Sequence, residues 1–389
     1  MAVSTEDNQT TLNDAACSQP HREQHKRLIK REGTTGGKLP LLHWRNSKLW
    51  RYLSQTLFML INLYIGVTFY YWVRFYETMG QSTYVERPSG IEGWLPIAGL
   101  MNIKFTLLTQ QIPPIYAASM LLLCAFMLIS FLFKRSFCSW FCPIGTLSEL
   151  AWKLGQRLFG RNVTLPKWID IPLRSLKYLL LGVVIYFIIP LSAFDVMAFL
   201  QSPYGIIIDV KMLDFFRYMG QTTLIVLSVL TLMSLFVQNA WCRYLCPYGA
   251  LMGTVSYFSR LKIRRDPYTC IDCNRCAKAC PAKLPVDRLI AVRSIECTTC
   301  MTCVEICPAQ DALQLALPPR NNSAVNGDAQ GLAKRWHKRK VAGVAVILII
   351  YGILIGTISY AKYNNVWDSP VSPMYYARLI PKADMFGHP

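Results

Sequence analysis

The chain has 389 residues, of which 53% are hydrophobic and only 16% are charged, and its formal net charge is +19. This composition is typical of a membrane protein with a soluble part, and the way the positive charge is spread argues against a nucleic-acid-binding protein. A secreted disulfide scaffold is also excluded. The chain is long, no cleavable signal is recognised in it, and 12 of its 14 cysteines fall in four tight clusters that each end in Cys-Pro.

The first 45 residues are polar and rich in Gly, Thr, Gln and charged side chains, which predicts a disordered basic cytoplasmic tail over 1–45. Apolar segments of about the length that crosses a bilayer follow it. Five are predicted to span the membrane, roughly residues 53–73, 115–133, 176–191, 222–238 and 341–359.

Lys and Arg are distributed unevenly between the segments that connect these spans. The side of the membrane that holds the N-terminus carries 33 of them, and the opposite side carries 8. The positive-inside rule therefore places residues 239–340 in the cytoplasm and the C-terminal tail in the periplasm of a bacterial inner (cytoplasmic) membrane. The excess charge also suits contact with anionic membrane lipid, so no nucleic-acid partner is expected.

Two predicted helical hairpins, 46–150 and 151–260, end in the same motif, CxxxCP. The sequences FCSWFCPIGTL (137–147) and WCRYLCPYGAL (241–251) match column by column in residue character. Such a parallel repeat predicts a pseudo-two-fold axis along the membrane normal, which would bring the two motifs together.

Each motif is expected to straddle a helix break. Pro143 and Pro247 suit the first position of a following amphipathic helix, so the second cysteine of each motif lies at or beside the N-cap, where the helix dipole favours a thiolate. The first cysteine is expected at the end of the membrane helix. These thiols could ligate a further metal or iron–sulfur cluster, form a redox dithiol without metal, or only shape a turn. They are Cys138, Cys142, Cys242 and Cys246.

The sequences CIDCNRCAKACP (270–281) and CTTCMTCVEICP (297–308) are each a C-x2-C-x2-C-x3-C-P run, typical of bacterial two-cluster ferredoxins and rare in zinc sites. In such a pair, the fourth cysteine of each run ligates the other cluster. One 4Fe–4S cluster is therefore predicted at Cys270, Cys273, Cys276 and Cys307. The other is predicted at Cys297, Cys300, Cys303 and Cys280. We expect a double ferredoxin domain over 261–317, with short strands at 266–273 and 291–300.

A basic linker (318–340), a fifth transmembrane helix (341–360) and a periplasmic tail (361–389) complete the predicted domains. The outer loops 87–105 and 199–212 are apolar. They either pack as caps over the helix bundle, or form re-entrant segments that line a quinol pocket or a docking face for a partner.

Other cofactor classes lack their signatures. No histidine lies in a predicted span and no CxxCH occurs, so no haem is expected, and no GxGxxG follows a strand. Of the two cysteines outside the clusters, Cys17 lies in the tail. Cys124 sits in an apolar run and is expected to be a small core residue.

The paired CxxxCP motifs followed by a double ferredoxin run resemble the membrane polyferredoxins, over roughly residues 50–315. This family includes NapH-type quinol dehydrogenase subunits, the membrane half of the nitrous-oxide-reductase regulator and a cytochrome-oxidase assembly ferredoxin. The resemblance implies two 4Fe–4S clusters at the eight ferredoxin cysteines. It also marks the four CxxxCP cysteines as the family's paired motif. No counterpart of the regulator's flavin domain or of the assembly protein's outer sandwich domain is present, and the fifth span and outer tail are additional.

The expected fold is an α-helical integral membrane protein of about five transmembrane helices, in two parallel hairpin repeats, with an inserted α+β ferredoxin domain of the bacterial two-4Fe–4S type. Its expected function is electron transfer between the quinone pool or a cytoplasmic donor and a partner redox protein, as a subunit of an oxidoreductase. The alternatives are an assembly factor that reduces a metal such as copper at the CxxxCP thiols, and a redox sensor.

Overall fold

The computed structural model describes residues 47–386 except 161, 164, 268, 310, 311, 319–340 and 342. The tail predicted over 1–45 lies outside the described residues, as does nearly all of the linker predicted over 318–340. The described elements are α1 Ser47–Glu77, α2 Pro96–Thr109, α3 Ala117–Phe133, α4 Ser136–Trp140, α5 Pro143–Phe159, α6 Lys167–Ile188, α7 Ala193–Gln201, α8 Pro203–Ile206, α9 Ile208–Arg217, α10 Gln221–Phe236, α11 Pro247–Ser256, β1 Lys262–Arg265, α12 Arg275–Lys278, α13 Thr302–Glu305, β2 Leu313–Ala316, α14 Gly343–Tyr363 and α15 Pro373–Leu379.

The described residues divide into two compact units. One contains residues up to 55 together with 129–140 and 253–349, and the other contains 56–128, 141–252 and 350 onward. The ferredoxin residues belong to the first unit. The segments that follow the two CxxxCP motifs belong mainly to the second.

Each predicted span falls on a helix, but the helices differ in length. Within the described residues, α1, α6 and α14 are long and apolar enough to cross a membrane, and α9 with α10 makes a fourth if this pair, bent by 79°, is one broken span. Helix α3 is apolar but has 17 residues, which is about 26 Å against the roughly 30 Å of a hydrocarbon core. The chain is therefore a helical membrane protein with three to four candidate spans, and the count of five stays a prediction.

Cys124 was expected in the core, but it is exposed on α3. An apolar sequence does not distinguish the core-facing side of a membrane helix from its lipid-facing side, because both are apolar. The expectation was therefore wrong for a reason that applies to every predicted span.

Within the second unit, the helices before and after the two CxxxCP motifs pack crosswise on one another. Helix α5, which follows the first motif, packs along α10, which precedes the second. Helix α11, which follows the second motif, contacts α3, which precedes the first, through the rings of Tyr248 and Phe126, whose centroids are 6.3 Å apart. Each helix after a motif thus packs on the helix before the other motif.

The outer loops fold into short helices that pack within the second unit. The 87–105 loop forms a 3-10 turn, Ser89–Trp94, followed by α2, and the 199–212 loop contributes to α7, α8 and α9. These elements share one hydrophobic core with α1 and with the C-terminal helix α15, where Tyr376 lies 5.0 Å from Trp72 between ring centroids. The loops and the tail therefore match the packed-cap alternative.

A buried charged group lies inside this cap. Arg87 donates from Nη2 to Asp209 Oδ2 at 2.8 Å and from Nη1 to Glu92 Oε1 at 3.1 Å. The carboxylates are 0% and 1% exposed. A single guanidinium faces two buried carboxylates, so the group favours retention of one proton. Burial accordingly raises the pKa of Glu92 to about 7, although Arg87 acts in the opposite direction.

The ferredoxin residues form a small two-stranded sheet with short helices between the strands. Strands β1 and β2 are antiparallel, with Lys262 opposite Ala316. The strands predicted at 266–273 and 291–300 were wrong, because β1 precedes the first run and β2 follows the second. Within the predicted ranges, Asp272 and Thr299 take left-handed backbone conformations that a strand does not contain.

The close packing of α5 on α10 predicts a strong effect at Gly155, where a Cβ would overlap the carbonyl oxygen of Leu235. Gly155→Ala should destabilise the protein by about 1–3 kcal/mol, because backbone atoms cannot move aside as side chains do. The measurement is the thermal unfolding midpoint in detergent. Gly182→Ala is the matched control, since a Cβ on that helical glycine meets open space. Equal midpoints for the two variants would contradict the packing.

The buried cluster of Arg87, Glu92 and Asp209 predicts that the stability of the protein depends on pH. Between its ordinary pKa of 4.5 and about 7, Glu92 binds a proton in the folded protein but not in the unfolded chain. Its contribution, roughly 3 kcal/mol, is therefore complete below pH 4.5 and is lost as the pH rises through 7. We expect Glu92→Gln to flatten the fall of the unfolding midpoint between about pH 5 and pH 8. Glu86→Gln, at an exposed position, should leave that slope unchanged.

Candidate metal centres

Two cavities lie among the ferredoxin residues, and each is lined by four cysteines. The first cavity is lined by Cys270, Cys273, Cys276 and Cys307. The second cavity is lined by Cys280, Cys297, Cys300 and Cys303. Each cavity therefore takes three cysteines from one run and the fourth from the other. A two-cluster ferredoxin exchanges its fourth ligands in the same way.

The backbone around the two cavities repeats. Asp272 and Thr299 occupy matching positions in the runs, with φ of 49° and 50°. Asn274 and Met301 also match, both with φ of 59°. Left-handed backbone is costly for residues other than Gly, above all for β-branched Thr299, so it persists only where the surrounding structure imposes it. The same unusual turn is thus built twice, once beside each set of cysteines.

Burial raises the pKa of five of the eight thiols, those of Cys276, Cys280, Cys297, Cys303 and Cys307. Burial raises the pKa of Cys280 to about 12 and that of Cys307 to about 11. It also raises the pKa of Cys303 well above its ordinary value. Bound metal supplies the positive charge that a buried thiolate lacks, and a coordinating thiol is deprotonated outright. Four such thiols around one cavity are the donor set of a 4Fe–4S cluster.

No three His, Cys, Asp or Glu side chains converge tightly enough to hold a single metal ion anywhere in the described part of the chain. A 4Fe–4S cluster differs from a single ion, because each of its four irons takes its own cysteine. The cysteine cavities therefore suit a cluster better than a mononuclear ion.

The loop beside the second cavity is held by the segment 134–140, which contains the first half of the CxxxCP motif. Ser139 Oγ donates to the carbonyl oxygen of Thr298 at 2.8 Å, and Trp140 Nε1 donates to that of Thr299 at 3.0 Å. Arg135 pairs with Glu296 at 3.0 Å. The backbone between Cys297 and Cys300 is thus bonded directly to the residues around Cys138.

Lys134 is the most buried charge in this contact, with 0% exposure. Its Nζ donates to the carbonyl oxygens of Val292 at 2.8 Å and Ser294 at 2.9 Å. Burial lowers its pKa to about 8, while Cys297 acts to raise it. The two carbonyl acceptors favour the charged ammonium form.

Sequence reasoning missed these contacts. It treated Lys134 and Arg135 only as part of the positive charge that sets topology, and Trp140 only as an aromatic column of the repeat. The available signal was their position, immediately after a predicted span and within or beside a CxxxCP motif.

The motifs straddle helix breaks, as predicted. Cys142 and Cys246 have the extended backbone expected before proline, and Pro143 occupies the first helical position of α5. Cys246 Sγ accepts a hydrogen bond from the Gly249 amide at 3.2 Å, within the first turn of α11. Helix N-termini favour thiolate at such a position.

The first cysteine of each motif was wrongly placed at the end of a membrane helix. Cys138 lies on the separate short helix α4, and Cys242 lies in the π-helical turn Trp241–Leu245. A left-handed residue before each, Lys134 and Asn239, separates it from the preceding membrane helix.

The second motif is anchored differently from the first. Tyr244, which matches Trp140 in the repeat, donates to Asp170 Oδ1 at 2.6 Å, and Arg243 donates to Oδ2 at 2.8 Å. One aromatic donor of the repeat therefore binds the ferredoxin loop, while the other binds the first turn of α6.

The chain is 54% identical over 362 residues to YccM of Escherichia coli (strain K12), named as an electron transport protein, and the match covers 93% of this chain and 98% of YccM. The chain belongs to the membrane polyferredoxin family. A family model described as a 4Fe-4S binding domain matches twice, at residues 117–162 and 219–266, which contain the two CxxxCP motifs. A 4Fe-4S dicluster domain model matches residues 262–308.

Other members of the family match shorter stretches. The chain is 29% identical to the ferredoxin-type protein NapH of Escherichia coli, over 38% of this chain and 48% of NapH. It is 31% identical to the protein NirI of Paracoccus denitrificans, over 41% of this chain and 23% of NirI. No solved structure matches the chain.

Proposed function

We propose that this protein passes electrons between the quinone pool, or a cytoplasmic donor, and a partner redox protein by means of two 4Fe–4S clusters. The main support for the proposal is that eight cysteines line two cavities. Each cavity takes three cysteines from one run and its fourth cysteine from the other run. Membership of a family of ferredoxin-type electron transport proteins supports the same reading.

The proposed ligands follow the two cavities. Cys270, Cys273, Cys276 and Cys307 would hold one cluster. Cys280, Cys297, Cys300 and Cys303 would hold the other. Bound clusters would supply one-electron redox chemistry at potentials set by charge, hydrogen bonding and exposure. The chain's own contribution is to bury the thiols, to hold the left-handed turns beside them, and to bond the second cavity to the segment 134–140.

The CxxxCP cysteines form part of the proposed path. The exchanged packing of α5 on α10 and of α11 on α3 supports a parallel repeat in which the two motifs approach one another. Electrons that enter at the cytoplasmic clusters need a further carrier, because roughly 30 Å of hydrocarbon is too far for one transfer. We propose that Cys138, Cys142, Cys242 and Cys246 supply that site as a metal, cluster or dithiol centre, or that a bound quinone does so beside them.

The proposed orientation follows the positive-inside rule. The N-terminus, both motifs and the ferredoxin residues lie in the cytoplasm of a bacterial inner membrane, and residues after α14 lie in the periplasm. The partner protein and the direction of electron flow are to be found by assay with candidate donors.

Metal content tests the ligand assignment. Anaerobically purified protein should contain about eight irons and eight acid-labile sulfides per chain, or more if the CxxxCP cysteines hold iron. Cys273→Ser and Cys300→Ser should each lose about four irons, because each removes a ligand from one cavity only. Cys124→Ser, at an exposed cysteine outside the clusters, is the matched control and should lose none. Full iron in both ligand variants would reject the assignment. Copper or zinc in place of iron would favour a metal-handling factor.

Quinol-linked turnover tests the CxxxCP proposal. Cys138→Ser and Cys246→Ser should abolish turnover with a quinol and an artificial acceptor, because the path through the motifs is broken. About eight irons should remain in each variant, since neither residue lines a ferredoxin cavity. Normal turnover in both variants would remove the motifs from the path. Iron above eight that is lost in Cys138→Ser would identify a further cluster there.

A further inference from the structure

The two cavities differ in the charges that surround them. Asp272 and Asp287 line the first cavity, together with Arg265, which lies 3.6 Å from Asp272. Arg288 lies 3.6 Å from Asp287 but is 82% exposed, so it offsets that carboxylate only weakly. The second cavity has no charged side chain among its lining residues. The buried side chain of Lys134 donates to the carbonyl oxygen of Val292, which lines this cavity, and interacts with Cys297.

The charge of Lys134 is not cancelled by its hydrogen-bond partners. Both acceptors of its Nζ are neutral backbone carbonyl groups, those of Val292 and Ser294. The adjacent Arg135 and Glu296 form an ion pair and neutralise one another. Within the described part of the chain, Lys262 also interacts with Lys134, and it too is a cation. Among the described residues, the groups that interact with Lys134 therefore leave its positive charge uncompensated.

Lys134 occupies the left-handed position that ends α3, and its side chain is nevertheless fully buried. Its φ of 58° lies in the left-handed region, which is uncommon for a lysine. The chain accepts that cost and also buries the side chain completely. An exposed lysine would serve equally well for topology, so topology does not explain the burial.

Reduction of a cluster adds one negative charge, which a nearby cation stabilises and a nearby carboxylate destabilises. The first cavity is more exposed, since Cys273 is exposed whereas three cysteines of the second cavity are buried. Water around the first cavity would also stabilise added charge, but it screens Asp272 and Asp287 only in part. Lys134 acts where burial has removed that screening.

We propose that this charge difference sets the order of the two reduction potentials, with Lys134 as the positioning residue that makes the second cavity the site of the more easily reduced cluster. The proposal rests on the proposed function, because it requires a cluster in each cavity. Each reduction adds one electron to one cluster, supplied by the partner or by a chemical titrant, and no covalent bond forms or breaks.

The order of the two reduction potentials affects the direction of electron transfer between the two clusters. The second cavity is the one whose loop is bonded to Ser139 and Trp140. Electrons at equilibrium would therefore be concentrated beside the first CxxxCP motif. Lys134 would favour transfer toward that motif.

The test is a redox titration of the full-length protein in detergent, followed by electron paramagnetic resonance. Lys134→Gln removes the charge but keeps an amide donor for the carbonyl oxygens, and Lys134→Arg keeps the charge. We expect Lys134→Gln to lower the equilibrium constant for reduction of the higher-potential cluster about tenfold, equivalent to 59 mV for one electron, and to leave the other cluster unchanged. Lys134→Arg should keep the potential of this cluster close to the wild-type value, because it keeps the positive charge.

Two further variants separate this effect from general damage. Lys104→Gln is the matched control, because Lys104 Nζ likewise donates to backbone carbonyls, those of Ile188 and Ile189, and it should move neither potential. Asp287→Asn removes a carboxylate from the first cavity and should raise the lower potential. It tests the charge difference even if the Lys134 variants assemble poorly, which iron content and the unfolding midpoint would reveal.

The outcomes distinguish the inference from the function on which it rests. Wild-type protein without two iron–sulfur signals would overturn the proposed function and the inference together. Two signals with potentials that Lys134→Gln leaves unchanged, or a shift confined to the lower-potential cluster, would overturn the inference alone. An equal fall in Lys134→Arg and Lys134→Gln would also overturn the inference, because it would show that the potential does not follow the charge at this position.

Discussion

Backbone carbonyl groups of the loop 292–299 accept hydrogen bonds from side chains of the segment 134–140, and much of the ferredoxin arrangement depends on this contact. Carbonyl groups used in this way are not available to a strand partner, which is one reason why the predicted strand over 291–300 does not form. The left-handed turn at Thr299 presents its carbonyl to Trp140 in the same arrangement. The contact therefore fixes the path of the chain beside the second cavity and bonds it to the first CxxxCP motif.

Burial disfavours the ionised form of the thiols and strengthens the effect of the fixed charges near them. Thiols such as Cys280 and Cys303 resist ionisation in the folded chain, so ligation must supply the positive charge that makes thiolates stable. The same low polarity strengthens every nearby fixed charge. Lys134 beside the second cavity and Asp287 in the first therefore have more influence than exposed residues of the same type would have.

Sequence patterns were most informative where the chemistry or the backbone geometry depends directly on the spacing of nearby residues. The C-x2-C-x2-C-x3-C-P runs predict the exchange of the fourth cysteine because three closely spaced thiols can cover only one face of a cluster. The prolines of the CxxxCP motifs predict where α5 and α11 begin, since proline restricts both its own backbone and that of the preceding residue. Strand positions and the surroundings of Cys124 could not be predicted, because they depend on partners distant in the chain.

The sequence by itself determined that this protein is a helical membrane protein with paired CxxxCP motifs and two ferredoxin-type cysteine runs. Hydropathy and short-range spacing depend only on residues close together in the chain. Only the tertiary structure decided which residues outside those motifs matter. Lys134 meets a loop some 160 positions later in the chain, and Arg87 meets Asp209 across 122 positions. Such pairs form when the chain packs. A buried charge needs partners, and the fold can supply them from any part of the chain.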